Sequence, residues 1–189
     1  MLNAALVIIQ DEHRSLAAVV HGLRHLVREM RERNVAPDFG LLWAMMFYLD
    51  EFPEKMHHPK EDAWIFARLR QRTHVADDVV MELERQHRAG AGRVRDLELA
   101  LGHYQAGKPG GLESFSVTVE TFAEEVTKHM ALEEDTVIPL ARKYFTAEDW
   151  VEIGAAFGEN GDPRFDVETD RECRDIFSRI ANLAPPARR

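Results

Sequence analysis

The sequence of 189 residues has almost no cysteine: Cys173 is the only one. A single cysteine cannot form an internal disulfide, so nothing in the sequence indicates an oxidising compartment. Charged residues flank Cys173, and no motif of a catalytic thiol surrounds it. We therefore expect neither a disulfide nor a catalytic cysteine.

Long apolar runs and concentrated basic charge are also missing. The apolar stretch at residues 4–9 is too short to span a membrane, and neither a basic region nor a small-residue cleavage site accompanies it. The chain has 33 acidic residues against 24 Lys and Arg, which gives a formal net charge of −9, whereas a nucleic-acid interface needs a basic face. We expect a cytoplasmic protein that has no membrane or nucleic-acid partner.

Glycine and proline are scarce, at 11 and 8 residues, while Ala, Leu, Glu and Arg are plentiful, and this balance favours helix. Apolar residues recurring every three or four positions predict four long helices, at residues 3–33, 38–72, 75–105 and 112–145. Short connections between long helices favour antiparallel neighbours. The predicted fold is therefore all-α, an up-down-up-down four-helix bundle. Pro53 and Pro59 lie inside the second helix, where we expect kinks.

A shorter section follows the predicted bundle and divides the chain into residues 1–145 and a helical extension at 146–189. Thr146 and Asp149 have the spacing of a capping box, which predicts the start of one helix, and a second helix is predicted at 168–183. We expect the extension to pack on the bundle or to form the interface of a homodimer.

The apolar seams of the four predicted helices are interrupted only by histidine and glutamate. The interrupting residues are His13, His57, Glu61, His87, His129 and Glu133. At ~1.5 Å per residue, all of them fall about 15–20 Å from the same end of an antiparallel bundle. Four helices therefore present polar side chains to the bundle axis at one level.

Burying these groups without a partner is costly, because an isolated carboxylate in the interior costs several kcal/mol and burial opposes protonation of the histidines. Divalent cations such as iron, manganese or zinc remove this cost, since imidazole nitrogen and carboxylate oxygen are good ligands for them. His57/Glu61 and His129/Glu133 are each one helical turn apart, so each pair lies on one face. A single seam histidine is more often an ordinary core residue, but the matched set favours a two-metal centre.

The same residues make the chain resemble the hemerythrin-like (HHE cation-binding) family. The resemblance lies in residues 10–14, 57–62, 84–88 and 129–134, which together follow the pattern H…HxxxE…H…HxxxE. It implies a non-haem di-iron site bridged by two carboxylates and by an oxo or hydroxo oxygen, with manganese or zinc as alternative metals. The ligands that the family handles are dioxygen, nitric oxide, peroxide or iron itself.

The chain departs from the oxygen-carrying members of that family, whose sites resemble a set of five His, one Glu and one Asp, with two of the His one turn apart on the third helix. The positions one turn either side of His87 are Leu83 and Ala91, neither of which can bind metal. The carboxylate expected on the fourth helix is Glu133, four residues after His129, whereas the carriers have Asp five residues after the corresponding His. Glu134 does lie five residues after His129, but it falls off the apolar seam. One ligand fewer leaves more open positions and favours a reactive or sensing centre over a simple carrier.

Two further residues are alternative ligands. His58 adjoins His57 and could replace the missing histidine if Pro59 distorts the backbone, and Glu84 precedes His87 with the ExxH spacing of ferritin-like sites. The functional hypotheses are a di-iron protein that binds or reacts with O2, NO or peroxide, an oxygen or iron sensor or store without turnover, and a structural metal bundle. The sequence leaves open whether the protein is an enzyme.

Overall fold

The computed structural model describes residues 4–159, which contain helices but no β-strand. The first helical segment is α1 (Ala4–Arg33). The second comprises α2 (Phe39–Leu49), the π-helix π1 (Asp50–His57), the single turn α3 (His58–Lys60), the π-helix π2 (Glu61–Phe66) and α4 (Ala67–Arg72). The third is α5 (Asp77–Gln105), and the fourth comprises α6 (Gly111–Leu132), the π-helix π3 (Glu133–Val137) and α7 (Ile138–Tyr144). A further helix, α8 (Ala147–Gly158), follows. The four predicted helices are confirmed, with ends that differ by one or two residues.

Local backbone chemistry explains the π-helical turns. Proline has no N–H group and cannot continue the hydrogen-bond ladder of an α-helix, so the helix around it changes its pattern. Pro53 lies inside π1, and the N–H of His58 bonds to the carbonyl of Pro53, five residues back. Pro59 lies in α3, between π1 and π2. The expected kinks are therefore wider turns of one continuous helical segment.

The apolar interior forms two clusters. The large cluster contains Leu16, Val19, Val20, Leu23, Val27, Met30, Leu41, Leu42, Met45, Met46, Tyr48, Leu49, Phe52, Val94, Leu97, Ala100, Leu101, Phe115, Val119, Phe122 and Ala123. The small cluster contains Ala5, Ile9, Ile65, Phe66, Leu69, Ala76, Val80, Leu83, Val137, Ala141, Ile153 and Phe157. The first and third segments run from the small cluster to the large one, while the second and fourth run the other way.

The packing of the segments follows a cycle. The first segment contacts the second and fourth, and the third also contacts the second and fourth. The predicted level of polar side chains lies between the two apolar clusters. Along α1, His13 lies between Ile9 of the small cluster and Leu16 of the large one, and along α5, His87 lies between Leu83 and Val94.

Helix α8 packs against α1 and reaches the second segment. It begins at the predicted capping box, in which Thr146 accepts from the N–H of Asp149 and the Asp149 carboxylate accepts from the N–H of Thr146. The buried Asp149 carboxylate also pairs with Arg68 and, at 2.9 and 3.0 Å, with Arg72. These contacts tie the start of α8 to α4.

The second helix predicted for the extension, at residues 168–183, and Cys173 lie outside the described residues. Within residues 4–159, no helix combines the length and the apolar character needed to cross a bilayer.

Candidate metal centre

The structure brings all six predicted residues together in the polar layer between the two apolar clusters. None of these six residues exposes more than 8% of its surface: His13, His57, Glu61, His87, His129 and Glu133. They come from all four helical segments, so the segments meet at this layer.

The four histidines form two pairs. The Nε2 atoms of His13 and His57 lie 3.2 Å apart, and those of His87 and His129 also lie 3.2 Å apart. We call these the His13 pair and the His87 pair. Each pair joins two different segments, the first with the second and the third with the fourth.

The two glutamates lie between the pairs. Glu61 places Oε1 3.3 Å from His57 Nε2 and Oε2 3.6 Å from His87 Nε2. Glu133 places Oε2 3.4 Å from His13 Nε2 and Oε1 3.3 Å from His129 Nε2. Each carboxylate therefore presents one oxygen to each histidine pair, which is the arrangement that a bridging carboxylate requires.

The outer nitrogen of each of these histidines lies next to an acceptor from the preceding segment around the cycle. The contacts are Glu12 to His57 at 2.6 Å, Asp62 to His87 at 2.8 Å, Gln86 to His129 at 2.9 Å and Glu134 to His13 at 3.0 Å. We call these four acceptors the outer ring. Because they run from the first segment to the second, third, fourth and back to the first, the ring joins every segment to the next.

The outer ring determines which nitrogen faces the centre. An acceptor beside Nδ1 favours the tautomer with hydrogen on Nδ1, and the Nε2 lone pair then points inward. Two inward lone pairs 3.2 Å apart repel one another unless a proton or a cation lies between them. The ring therefore prepares the histidines to bind a cation through Nε2.

The charged forms of His13, His57 and His87 are favoured in spite of their burial, since the pKa of each is raised above the usual value by neighbouring acidic groups. Burial acts to lower the pKa of His13, but the hydrogen bond with Glu134 helps to raise it to about 9. For His87 burial also acts to lower the pKa, and the hydrogen bond with Asp62 helps to raise it to about 9. A metal ion that binds these nitrogens must therefore displace protons.

Both glutamates remain anionic in spite of their burial. Burial would raise the pKa of Glu61, but the neighbouring His57 and its other partners hold it well below the usual value. Burial and the Glu61 charge would raise the pKa of Glu133, but His129 helps to hold it below the usual value. Two adjacent buried carboxylates create a site that attracts cations.

The donor set fits a pair of metal ions. Glu61 Oε2 and both carboxylate oxygens of Glu133 are buried and have no hydrogen-bond partner, although all face the histidine Nε2 atoms. Two nitrogen ligands at ~2.0–2.1 Å from one ion lie about 3.0–3.4 Å apart, which matches the separation within each pair. Mixed imidazole and carboxylate donors suit iron, manganese and zinc.

The outer ring is the part of the site that the sequence analysis missed. Glu12, Asp62 and Gln86 were not considered, although each directly adjoins a predicted ligand in the sequence. Glu134 was set aside because it is off the apolar seam, and it is indeed half-exposed, yet it lies beside His13 Nδ1. Polar residues next to ligands were the signal that could have found this ring.

The two alternative ligands have different positions. His58 is buried, and its ligand atom lies within 4.8 Å of those of Glu61, His87 and His129. Burial and the neighbouring His87 lower the pKa of His58 well below its usual value, so it is neutral. Glu84 instead pairs with Arg70 on the protein surface, which accounts for it without a metal.

Comparison with protein families identifies the family of this domain. The family model described as the hemerythrin HHE cation binding domain matches residues 4–141, a range that contains the whole cluster and its outer ring. No curated protein and no solved structure matches the chain.

Proposed function

The chain belongs to the hemerythrin HHE cation-binding domain family, and from that premise we propose that it is a non-haem di-iron protein that binds or reacts with O2, NO or peroxide. The observation that carries the proposal is the pair of buried glutamates, Glu61 and Glu133, each of which presents one oxygen to each histidine pair. Few arrangements other than two adjacent cations make use of carboxylates placed in this way.

In this assignment His13 and His57 would hold one ion and His87 and His129 the other, while Glu61 and Glu133 would each offer a carboxylate oxygen to both ions. When bound, a pair of iron ions would supply electrons and open coordination positions for a small ligand. Manganese and zinc accept the same donors, so the choice of iron rests on the family resemblance.

The remaining residues orient the ligands and exclude water. The outer ring keeps each imidazole in one tautomer and one orientation. Phe66 stacks near His87 at 5.4 Å between ring centroids, and Phe157 packs edge-on to His57 at 6.0 Å. These apolar rings lower the local polarity and restrict the centre to small ligands.

We also propose the predicted bundle topology. The alternation of the large and small apolar clusters along successive segments supports an up-down-up-down order, and the cyclic packing supports a four-helix bundle. We also propose to keep the division into a bundle at residues 1–145 and an extension at 146–189, because α8 follows the four segments and packs against the first of them.

A second function, sensing or storing oxygen or iron without turnover, is favoured by two contacts of α8. Phe157 of α8 packs against His57, and Lys60 donates to the carbonyl of Ala156 at 2.6 Å. Because α8 touches the proposed ligand His57 and also Lys60, which directly precedes Glu61, occupancy of the centre would be transmitted to the extension. Under this alternative the metal controls the position of α8 rather than a reaction.

The test is anaerobic loading of the full chain with Fe(II), followed by metal analysis and absorption spectra before and after air, NO or peroxide. We expect about two irons per chain. A reversible oxygenated band would indicate carriage, while irreversible oxidation would indicate catalysis or sensing. The variant His129→Ala should lose at least one iron, whereas the exposed His21→Ala should not. Retention of zinc or manganese in preference to iron would contradict the iron assignment, and less than one metal per chain would contradict the centre.

A further inference from the structure

We propose that His58 is a further metal ligand, on the side of the His87 pair, and that Glu54 positions it. This inference rests on the proposed two-metal function and adds a residue to it. Two features support it. The second segment brings two adjacent histidines, His57 and His58, inward, and Gly90 of the third segment leaves space beside them.

The π-helical backbone explains how His57 and His58 both enter the centre. On a regular α-helix, adjacent residues point about 100° apart, so only one of them would face the axis. Here π1 ends at His57 and α3 begins at His58, and both side chains are buried. The wider turn therefore provides two inward histidines where an α-helix would provide one.

The His58 ring lies where a third histidine ligand of the ion held by the His87 pair would lie. Its ring stacks on His87 with centroids 4.3 Å apart and rings 11° from parallel, and it lies edge-on to His129 at 5.2 Å. The ligand atoms of His58, His87, His129 and Glu61 all lie within 4.8 Å of one another. These separations are close to those between atoms that bind one ion.

Glu54 occupies the place that an outer-ring acceptor would take. The Nδ1 atom of His58 is buried and has no hydrogen-bond partner, and it lies 3.5 Å from Glu54 Oε2. The other four histidines of the cluster each have an acceptor beside Nδ1. A movement of a few tenths of an ångström would give His58 the same arrangement.

Gly90 makes room for the Glu54 carboxylate. A Cβ atom at position 90 would overlap both oxygens of Glu54, so no other residue fits there without moving Glu54. Glycine inside a helix costs about 0.5–1 kcal/mol relative to alanine, and the space that it leaves at position 90 is filled by the Glu54 carboxylate. A cavity of about 20 Å³, roughly the size of one water, adjoins Glu54, His58 and His129 and allows the small movement.

A ligating His58 also changes the comparison with oxygen carriers. The third helix lacks the second histidine of those proteins, with Leu83 and Ala91 at the two positions one turn from His87. His58 would supply the missing imidazole from the second segment. The side of the His87 pair would then have one protein donor more than the side of the His13 pair, and the predicted ligand deficit would no longer favour reactivity over carriage.

The test uses the full chain loaded with Co(II), selectively labelled with ¹⁵N-histidine, and examined by paramagnetic NMR. Each coordinated imidazole retains one N–H group, whose signal is strongly shifted by the bound ion. We expect shifted signals from His13, His57, His58, His87 and His129. The variant His58→Ala should lose one shifted signal, and its affinity for the second Co(II) ion should fall by ~10–100-fold or more. His21→Ala should bind Co(II) as the parent protein does.

Variants of the positioning residue separate its role from a structural one. Glu54→Leu should keep the His58 signal, but its affinity for the second Co(II) ion should fall by about 10–100-fold. Glu54→Gln should lose less affinity, because the amide oxygen can accept a hydrogen bond. Gly90→Ala should show the same loss of affinity as Glu54→Leu, since the added Cβ displaces the Glu54 carboxylate. Two bound Co(II) ions without a His58 signal in the parent protein would overturn this inference alone, whereas fewer than two bound ions would overturn the two-metal function as well.

Discussion

At the scale of single residues, four of the six proposed ligands (His13, Glu61, His87 and Glu133) directly adjoin a residue whose side chain accepts from a histidine on another segment. Glu12 adjoins His13 but lies beside His57, and Asp62 adjoins Glu61 but lies beside His87. A residue next to an inward ligand lies about 100° around the helix, toward the neighbouring segment. One short sequence motif on each segment can therefore supply both a ligand and an outer acceptor.

This arrangement predicts the effect of Glu12→Gln. Glu12 is buried and accepts from His57 Nδ1 at 2.6 Å, and its charge makes His57 a stronger donor to a cation. We expect metal affinity to fall by about 10–100-fold, with little loss of helical structure. Calorimetric titration with zinc measures the affinity, and circular dichroism checks the fold.

The matched control is Glu32→Gln, which changes an exposed glutamate on the same helix. It should bind zinc as the parent protein does. Equal affinities for Glu12→Gln and Glu32→Gln would show that the outer carboxylate does not tune the centre.

The buried histidines and glutamates of the cluster could be singled out from the sequence, while the acceptors beside them could not. A histidine or glutamate on an apolar seam stands out because burial of an unpaired polar group is costly. Glu134 and Asp62 are partly exposed and have the appearance of solvated surface residues in a sequence. Glu54 was missed for a different reason, since only the glycine at position 90 of another helix shows where its carboxylate lies.

At the scale of helical elements, the prolines of the second segment have a larger effect than their sequence indicates. The sequence predicts kinks at Pro53 and Pro59, because each lacks a backbone donor. It does not predict that the helix widens to π turns, since that choice depends on packing against the other segments. The consequence is the inward position of both His57 and His58, which a 100° helical projection excludes.

Helix α8 provides an element whose attachment depends on pH. The hydrogen bonds from Arg72 and the other partners of Asp149 outweigh the effect of burial and hold its pKa at about 2, below the usual 3.8. A carboxylate with a lowered pKa in the folded state stabilises the protein above its unfolded pKa, and this contribution is lost as pH falls toward the folded pKa. Asp149 should therefore contribute about 1–2 kcal/mol at pH 6, with the loss occurring between pH ~4 and ~2.

The substitution Asp149→Asn tests this contribution. At pH 6 we expect the free energy of unfolding in urea to fall by about 1–2 kcal/mol. The difference from the parent protein should shrink as the pH is lowered below ~4, since both chains then lack the charge. The exposed Asp96→Asn is the control and should show no such difference. A difference that stays constant from pH 6 to pH 3 would mean that the ion pairs with Arg68 and Arg72 do not hold α8.

At the scale of the whole molecule, the polar layer divides the interior into two apolar clusters. The level of this layer could be predicted, because the ligands lie at similar distances from one end of each predicted helix. The docking of α8 on the first segment could not be predicted, since an apolar helix face does not specify its partner. Ile153 and Phe157 join the small cluster, so α8 closes the interior on the side of the His13 pair.

From the division of the interior we predict that metal binding stabilises the four helical segments together. His13, His57, His87 and His129 come from four different segments, so ions held by them join the segments where apolar contacts are interrupted. At a free metal concentration about 100 times Kd, one site adds ~2.7 kcal/mol to the free energy of unfolding. For a chain of this length that corresponds to an increase in Tm of roughly 5–10 °C.

Thermal unfolding with stepwise additions of zinc, which has no redox chemistry, measures this effect. We expect Tm to rise with zinc and to return to its starting value after chelation. In His129→Ala the increase should be reduced, because the His87 pair is broken, whereas His21→Ala should respond as the parent protein does. If two zinc ions bind and Tm is unchanged, the metals do not join the segments, and the outer ring of hydrogen bonds alone must hold the polar layer together. The sensing alternative would then lose its physical basis, since occupancy could not reach α8 through the fold.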